Sequence, residues 1–357
     1  MTSDLNATSF YRLPLTAYRL PLTAYRLPLT AYRLPLTAYR LPLTAYRVNF
    51  NNQQKILMQG LEIFADSPAA LMALTGVIGL MVGSFLNVVI YRLPIMMQKS
   101  WRRECIDYLQ STDDIRCAEL DTESGEADSK FNLVFPLSRC PHCETPIKPY
   151  QNIPVLSYLL LKGRCAQCNT PISKRYPVIE GLTGFFSVLI AWHFGYSVEA
   201  LFALILTWSL IALSAIDIDH QLLPDSITLP LLWLGLFLSL FDIFIDTHSS
   251  IIGAIAGYLS LWTVYHGFKL LTGKEGMGYG DFKLLAMFGA WLGWQYILPI
   301  VLLSSLVGAV TGIAMVILVK RDKNIPIPFG PYLAAAGWIA LLWGDKINQA
   351  YLNFAGL

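Results

Sequence analysis

From about residue 69 the chain is written in long apolar runs separated by short polar turns. A run near 20 residues can cross the hydrocarbon core of a bilayer as a helix. The pattern predicts eight such spans, roughly 69–91, 178–195, 199–216, 227–245, 251–271, 282–297, 299–319 and 331–345. The expected fold is therefore an all-α polytopic membrane protein with about eight transmembrane helices. One sizeable polar segment, 92–177, separates spans 1 and 2. Ahead of the first span lie five copies of Tyr-Arg-Leu-Pro-Leu-Thr-Ala, beginning at Tyr11, Tyr18, Tyr25, Tyr32 and Tyr39. A seven-residue period suggests a coiled coil, but a proline in every copy removes helix hydrogen bonds and clashes with the preceding turn. Residues 1–57 thus read as an extended, disordered tail, with a surface-binding segment as the alternative.

Composition sharpens this picture. Hydrophobic residues make up 55% of the 357 positions and charged residues only 14%; mean hydropathy is +0.49. Soluble domains are nearer one quarter charged, so the balance points to lipid. A net charge of +2 is too small for a surface that tracks phosphates, and no nucleic-acid partner is expected. Lysine and arginine mark cytoplasmic turns. The 92–177 segment holds twelve of them, and the turns 269–283 and 320–323 are also basic, whereas those near 196, 247 and 298 carry none. The insert therefore belongs on the cytoplasmic side and, with eight spans, both termini lie outside the cytoplasm. The six tail arginines oppose this orientation, but most are too far from the first span to direct it.

Within the insert, Cys140-Pro141-His142-Cys143 and Cys165-Ala166-Gln167-Cys168 are separated by 21 residues. Two such knuckles suit a tetrahedral four-thiolate zinc site. Four thiolates leave no position for water, so the metal would be structural, one per chain. Two redox pairs are the alternative, disfavoured in a reducing compartment. His142 is a competing ligand inside the first knuckle. Cys105 and Cys117 fall outside the pattern, and the mixed-charge stretch around 100–130 reads as a solvated helix and loop.

The third predicted span ends in Asp217-Ile218-Asp219-His220-Gln221-Leu222-Leu223-Pro224-Asp225, with no lysine or arginine beside the acids. The sixth opens with Gly276-Met277-Gly278-Tyr279-Gly280-Asp281. Carboxylates at span ends are costly unless solvated or used, and Gly278 and Gly280 permit close backbone approach beside Asp281. The predicted orientation puts Asp217 and Asp281 on one side of the membrane at similar depth. Two adjacent carboxyls share a proton, so one can activate water while the other polarises a carbonyl. Helix capping is the plainer reading of these acids. Asp217 and Asp219 are two residues apart and cannot share a helix face. Asp225 precedes span 4, where an N-cap role competes with a catalytic one.

Taken together, the chain from about Met58 resembles the type IV prepilin leader peptidase/N-methyltransferase family of membrane aspartic proteases. The resemblance rests on Gly83-Ser84-Phe85-Leu86-Asn87-Val88-Val89-Ile90-Tyr91-Arg92-Leu93-Pro94, both knuckles, Lys174-Arg175-Tyr176-Pro177-Val178-Ile179-Glu180, the acidic run, the glycine motif and Ile327-Pro328-Phe329-Gly330-Pro331. It implies Asp217 and Asp281 as the catalytic pair, with Gly278, Gly280, Asp219 and Asp225 in support. It implies cleavage of prepilin and pseudopilin leaders after a glycine at the cytoplasmic face of a bacterial inner membrane. It further implies methylation of the new terminus with S-adenosylmethionine, for which Gly163, Glu180 and Arg92 are candidates with ordinary uses as turn glycine, buried helix-end acid and charge anchor. The organisation expected is a tail (1–57), a first span (58–91), a cytoplasmic zinc-binding domain (92–177) and a seven-span peptidase domain (178–357). The tail has no counterpart in the family and reads as an upstream extension or a duplicated leader. A polytopic transporter and a secretion scaffold with a structural zinc ribbon are the competing classes.

Overall fold

A computed structural model describes residues 66–111, 131–274, 276–318 and 327–355. The heptad repeat, Cys117 and the acidic stretch beyond residue 111 lie outside the described residues. The elements are α1 (Pro68–Ser111), a 3-10 turn (Pro149–Asn152), α2 (Leu156–Leu160), α3 (Arg175–Phe194), α4 (Val198–His220), α5 (Asp225–Ser239), α6 (Thr247–Thr272), α7 (Tyr279–Leu292), α8 (Ile297–Leu318) and α9 (Gly330–Ala355). Among the described residues there are no strands, only two isolated bridges in the insert.

Each predicted span falls on one helix. Five are long and apolar enough to cross a membrane: α1, α3, α4, α6 and α8 with the turn before it. α5 and α7, at 15 and 14 residues, rise only about 22 and 21 Å, less than a typical hydrocarbon core.

The first predicted span, 69–91, lies within α1, which continues through Pro94 for 44 residues in all. The helix rises about 66 Å, so its charged last part, from Lys99 on, extends beyond the length of a single crossing. A proline costs one backbone bond and does not end a helix whose neighbours stay helical. Between predicted spans 6 and 7 the break falls at Gly293, whose φ of +90° closes α7.

Side-chain caps start two helices: Ser197 accepts from the Ala200 amide at 3.1 Å, and Asp246 from that of Ser249 at 3.0 Å. α7 is the centre of the bundle. From Asp281 to Leu292 every residue but Lys283 is buried, against α5, α6 and α9. Small residues bring the backbones together: a Cβ on Gly289 would lie 2.0 Å from the Gly253 carbonyl oxygen. A second, smaller core joins α1, α3 and α4 through Leu86, Ile90, Ile179, Ala212, Ala215 and Ile216. α4 contributes to both cores, so its C-terminal end, where Asp217 sits, is held from two sides.

Candidate functional site

Asp217 lies one turn before the end of α4. Its carbonyl accepts the closing bond from the Gln221 amide at 2.9 Å, and Gln221 adopts a left-handed φ of 51° that turns the chain. Asp281 lies in the first turn of α7. Both residues are buried, 5% and 7% exposed. Three separated motifs converge here. Asp217 Oδ2 accepts the Gly330 amide at 3.0 Å. Leu223 wedges between the motifs: a Cβ added to Gly280 would sit 2.8 Å from the Leu223 Cβ, and one on Gly330 3.1 Å from Leu223 Cδ2. A Cβ on Gly330 would also meet Asp217 Oδ2 at 2.7 Å. Glycine at 280 and 330 is thus a matter of space. Asp281 Oδ1 is buried and has no hydrogen-bond partner among the described residues.

The other acids of the run have different surroundings. The sequence shows no cation beside them, but folding supplies two. Asp219 is ion-paired with Arg175 at the start of α3. Asp225 receives the Lys283 ammonium on both oxygens, at 2.8 and 2.6 Å. Pro224 stands at the N-cap position of α5 without a side-chain cap bond, and Asp225 is the first residue of the helix. Asp217 and Asp281 are left as two buried carboxyls with no ion-pair partner among the described residues. One receives an amide bond and the other has an oxygen free, which is a donor–acceptor set suited to moving a proton.

In the insert the four cysteine sulfurs lie within 4.8 Å of one another, and the Cys140 and Cys168 sulfurs are 3.7 Å apart. Four thiolates at about 2.3 Å from a tetrahedral zinc would be about 3.8 Å apart, so the donor set fits such an ion. Cys105, by contrast, is exposed on α1 and outside the cluster. The knuckles are copies of one unit. Arg-Cys-x-x-Cys-x-Thr-Pro-Ile occurs at 139–147 and again at 164–172. Each copy closes with an amide-to-carbonyl bond, Cys140 to Thr145 at 3.1 Å and Cys165 to Thr170 at 2.9 Å. Each also places a left-handed residue, Glu144 or Asn169, just after its second cysteine. The Thr170 hydroxyl, 3.2 Å from Cys168 Sγ, and then the Thr170 amide hold that thiol down to about 6. Thr145 lowers Cys143 in the same way. Thiolate is the metal-binding form. The two threonines were missed at the sequence level, although the repeated unit is legible there.

Two of the three methylation candidates, Arg92 and Glu180, fasten the insert to the bundle, and Gly163 makes a turn within it. Arg92, buried on α1, donates to the Asn132 carbonyl at 2.8 Å and to that of Pro136. Glu180, buried on α3, accepts the Val155 amide at 2.7 Å. Val155 has a φ of 58°, uncommon and strained for a β-branched residue. Gly163 has a φ of +67°, and a Cβ there would strike the Tyr158 ring at 2.9 Å. No hydrogen bond joins the three to one another among the described residues. Arg92 and Glu180 thus each direct polar atoms at the backbone of the insert.

The arrangement can be set beside known proteins. Residues 77–194 match the bacterial peptidase A24 N-terminal domain, and residues 204–313 match the type IV leader peptidase family. Over 300 residues the chain is 54% identical to a prepilin leader peptidase/N-methyltransferase of Stutzerimonas stutzeri, a match covering 84% of this chain and 100% of that protein. A protein of the same name from Pseudomonas aeruginosa is 53% identical over 296 residues, 83% of this chain and 98% of its own. One from Legionella pneumophila is 44% identical over 292 residues, 82% and 98% of the two chains. No solved structure gives a significant match.

Proposed function

The chain belongs to the prepilin leader peptidase/N-methyltransferase family, and from that premise we propose that Asp217 and Asp281 are the catalytic dyad of its peptidase activity. The substrates are type IV prepilins and pseudopilins, cut after a glycine. The observation that carries the reading is the contrast within the acids: Asp219 and Asp225 are neutralised by cations, while the two buried carboxyls are not. The dyad shares a proton. Its ionised member takes a proton from water, which attacks the peptide carbonyl, while the protonated member donates to the carbonyl oxygen. Proton return to the amine then releases the leader. Gly330 orients Asp217 through its amide, and Leu223 spaces the motifs.

The second activity is N-methylation of the new terminal residue, with S-adenosylmethionine supplying the methyl group. The part of this chain's residues is to hold the insert: Arg92 and Glu180 fix its backbone, and Gly163 makes the turn ahead of the second knuckle. The knuckles would hold one structural zinc through Cys140, Cys143, Cys165 and Cys168. The proposed setting is a bacterial inner membrane crossed eight times, with the 92–177 insert and the dyad at the cytoplasmic face. The proposed division is a 1–57 tail, a first span at 58–91, the 92–177 zinc-binding insert and a seven-span peptidase domain at 178–357.

Incubating the purified protein with a prepilin, followed by mass spectrometry, tests both activities. The expected product has lost its leader and gained one methyl group. Unchanged precursor would favour a transporter or a scaffold instead. Topology is checked separately: a reporter fused near Gly125 is expected to behave as cytoplasmic and one after Leu357 as periplasmic. The reverse pattern would mean that the arginine-rich tail sets orientation.

A further inference from the structure

We propose that Lys283 is a positioning residue of the peptidase, which fixes the distance between the catalytic carboxyls by gripping Asp225. The inference rests on the dyad reading above. α7 is the buried centre of the bundle, and Lys283 alone interrupts its buried stretch from Asp281 to Leu292. An apolar side chain would fill that position at less cost, so the cation needs a reason. It is not the counter-ion of Asp281. Residues two apart on a helix point to different faces, and Lys283 places its ammonium 2.8 and 2.6 Å from the two oxygens of Asp225.

Asp225 is the first residue of α5, directly after the loop that leaves α4. That loop is therefore fastened at both ends. At one, Asp217 is anchored to the Gly330 amide; at the other, Asp225 is anchored to Lys283. In the middle Leu223 fills the space beside Gly280 and Gly330. The ion pair thus ties the start of the helix carrying Asp281 to the segment that follows Asp217. Without it, the loop and Leu223 can draw back, and the carboxyls lose their spacing. A displacement near 1 Å is enough to slow a reaction that depends on aligned groups. The pair is partly exposed, 29% for the lysine side chain and 51% for the aspartate, so its contribution to overall stability is small. That separates a positioning role from a merely structural one.

The test uses the full-length enzyme in membranes with a prepilin substrate, measuring kcat, KM and enzyme abundance for Lys283→Ala, Lys283→Arg, the single changes Asp225→Lys and Lys283→Asp, and the exchanged pair that combines those two. Lys283→Ala is expected to lower kcat about tenfold or more with KM within about twofold of the parent. Lys283→Arg is expected to recover most of that loss, because it keeps the charge. The exchanged pair is expected to cleave faster than either of its single changes alone. Parental kcat in Lys283→Ala, or an exchanged pair no better than its singles, would overturn the proposal. If Lys283→Ala fails to accumulate, the exchanged pair and Lys283→Arg decide the matter by the same measure. Failure here is distinct from failure of the dyad: inactive Asp217→Asn and Asp281→Asn beside a fully active Lys283→Ala refutes only the clamp.

Discussion

Asp217→Asn and Asp281→Asn are each expected to abolish leader cleavage, and the double variant is expected to be no worse than either. Asparagine keeps the size and shape of the side chain but cannot exchange a proton. General acid–base catalysis contributes about a hundredfold to ten-thousandfold, and two groups that hand over one proton are lost together when either is lost. Asp219→Asn and Asp225→Asn are expected to cost far less. Each removes one partner of an ion pair with Arg175 or Lys283; the stability cost of such exposed pairs is about 0–1 kcal/mol, and Asp225→Asn, which frees Lys283, is expected to lower kcat about as much as Lys283→Ala does. The assay is precursor cleavage in membranes at matched enzyme abundance. Either catalytic variant is expected to methylate a pre-cleaved pilin if the methylation site is separate. Substantial cleavage by Asp217→Asn, with none by Asp219→Asn, would move the catalytic role to the other acid.

About one zinc per chain is expected in protein purified without chelator, and Cys140→Ser or Cys165→Ser is expected to lose it. The sulfurs already sit at the spacing a tetrahedral ion requires. Little else holds the knuckles: each closes on a few backbone bonds, and the helix between them, α2, is five residues long with no buried residue. Metal binding in such a segment is folding energy, about 10–16 kcal/mol in isolated zinc-finger peptides. Its loss is therefore expected to open residues 131–174 to proteolysis while the helical bundle survives. Peptidase activity is expected to persist in part, because the dyad is carried by α4 and α7 and not by the insert. The checks are elemental analysis and limited proteolysis of the variants. Metal-free protein with a protease-resistant insert would show that the thiols serve another purpose.

The positions of the helices were legible in the sequence because hydropathy is local: a run of apolar residues must be buried or face lipid wherever it lies in the chain. All eight runs lie on helices, and what the runs do not mark is where a helix ends, as where α1 continues through Pro94. There a single lost backbone bond competed with the many bonds of a continuing helix. The cysteine cluster was legible for a similar reason, since a knuckle's geometry is set by four consecutive residues. The sequence held more than was taken from it: the repeat of Arg-Cys-x-x-Cys-x-Thr-Pro-Ile marks Thr145 and Thr170 as partners of the thiols. For the acids, sequence alone determined that the chain carries carboxylates at the ends of apolar runs. Spacing left the choice among Asp217, Asp219 and Asp225 open, and the family resemblance singled out Asp217. Only the tertiary structure decided which are paired, because the partners come from other helices. Lys283 lies 58 residues beyond Asp225, and the Gly330 amide 113 beyond Asp217. A charge's surroundings depend on which helix ends meet, and that is set by the packing of small residues across the whole bundle, not by any neighbour in the chain.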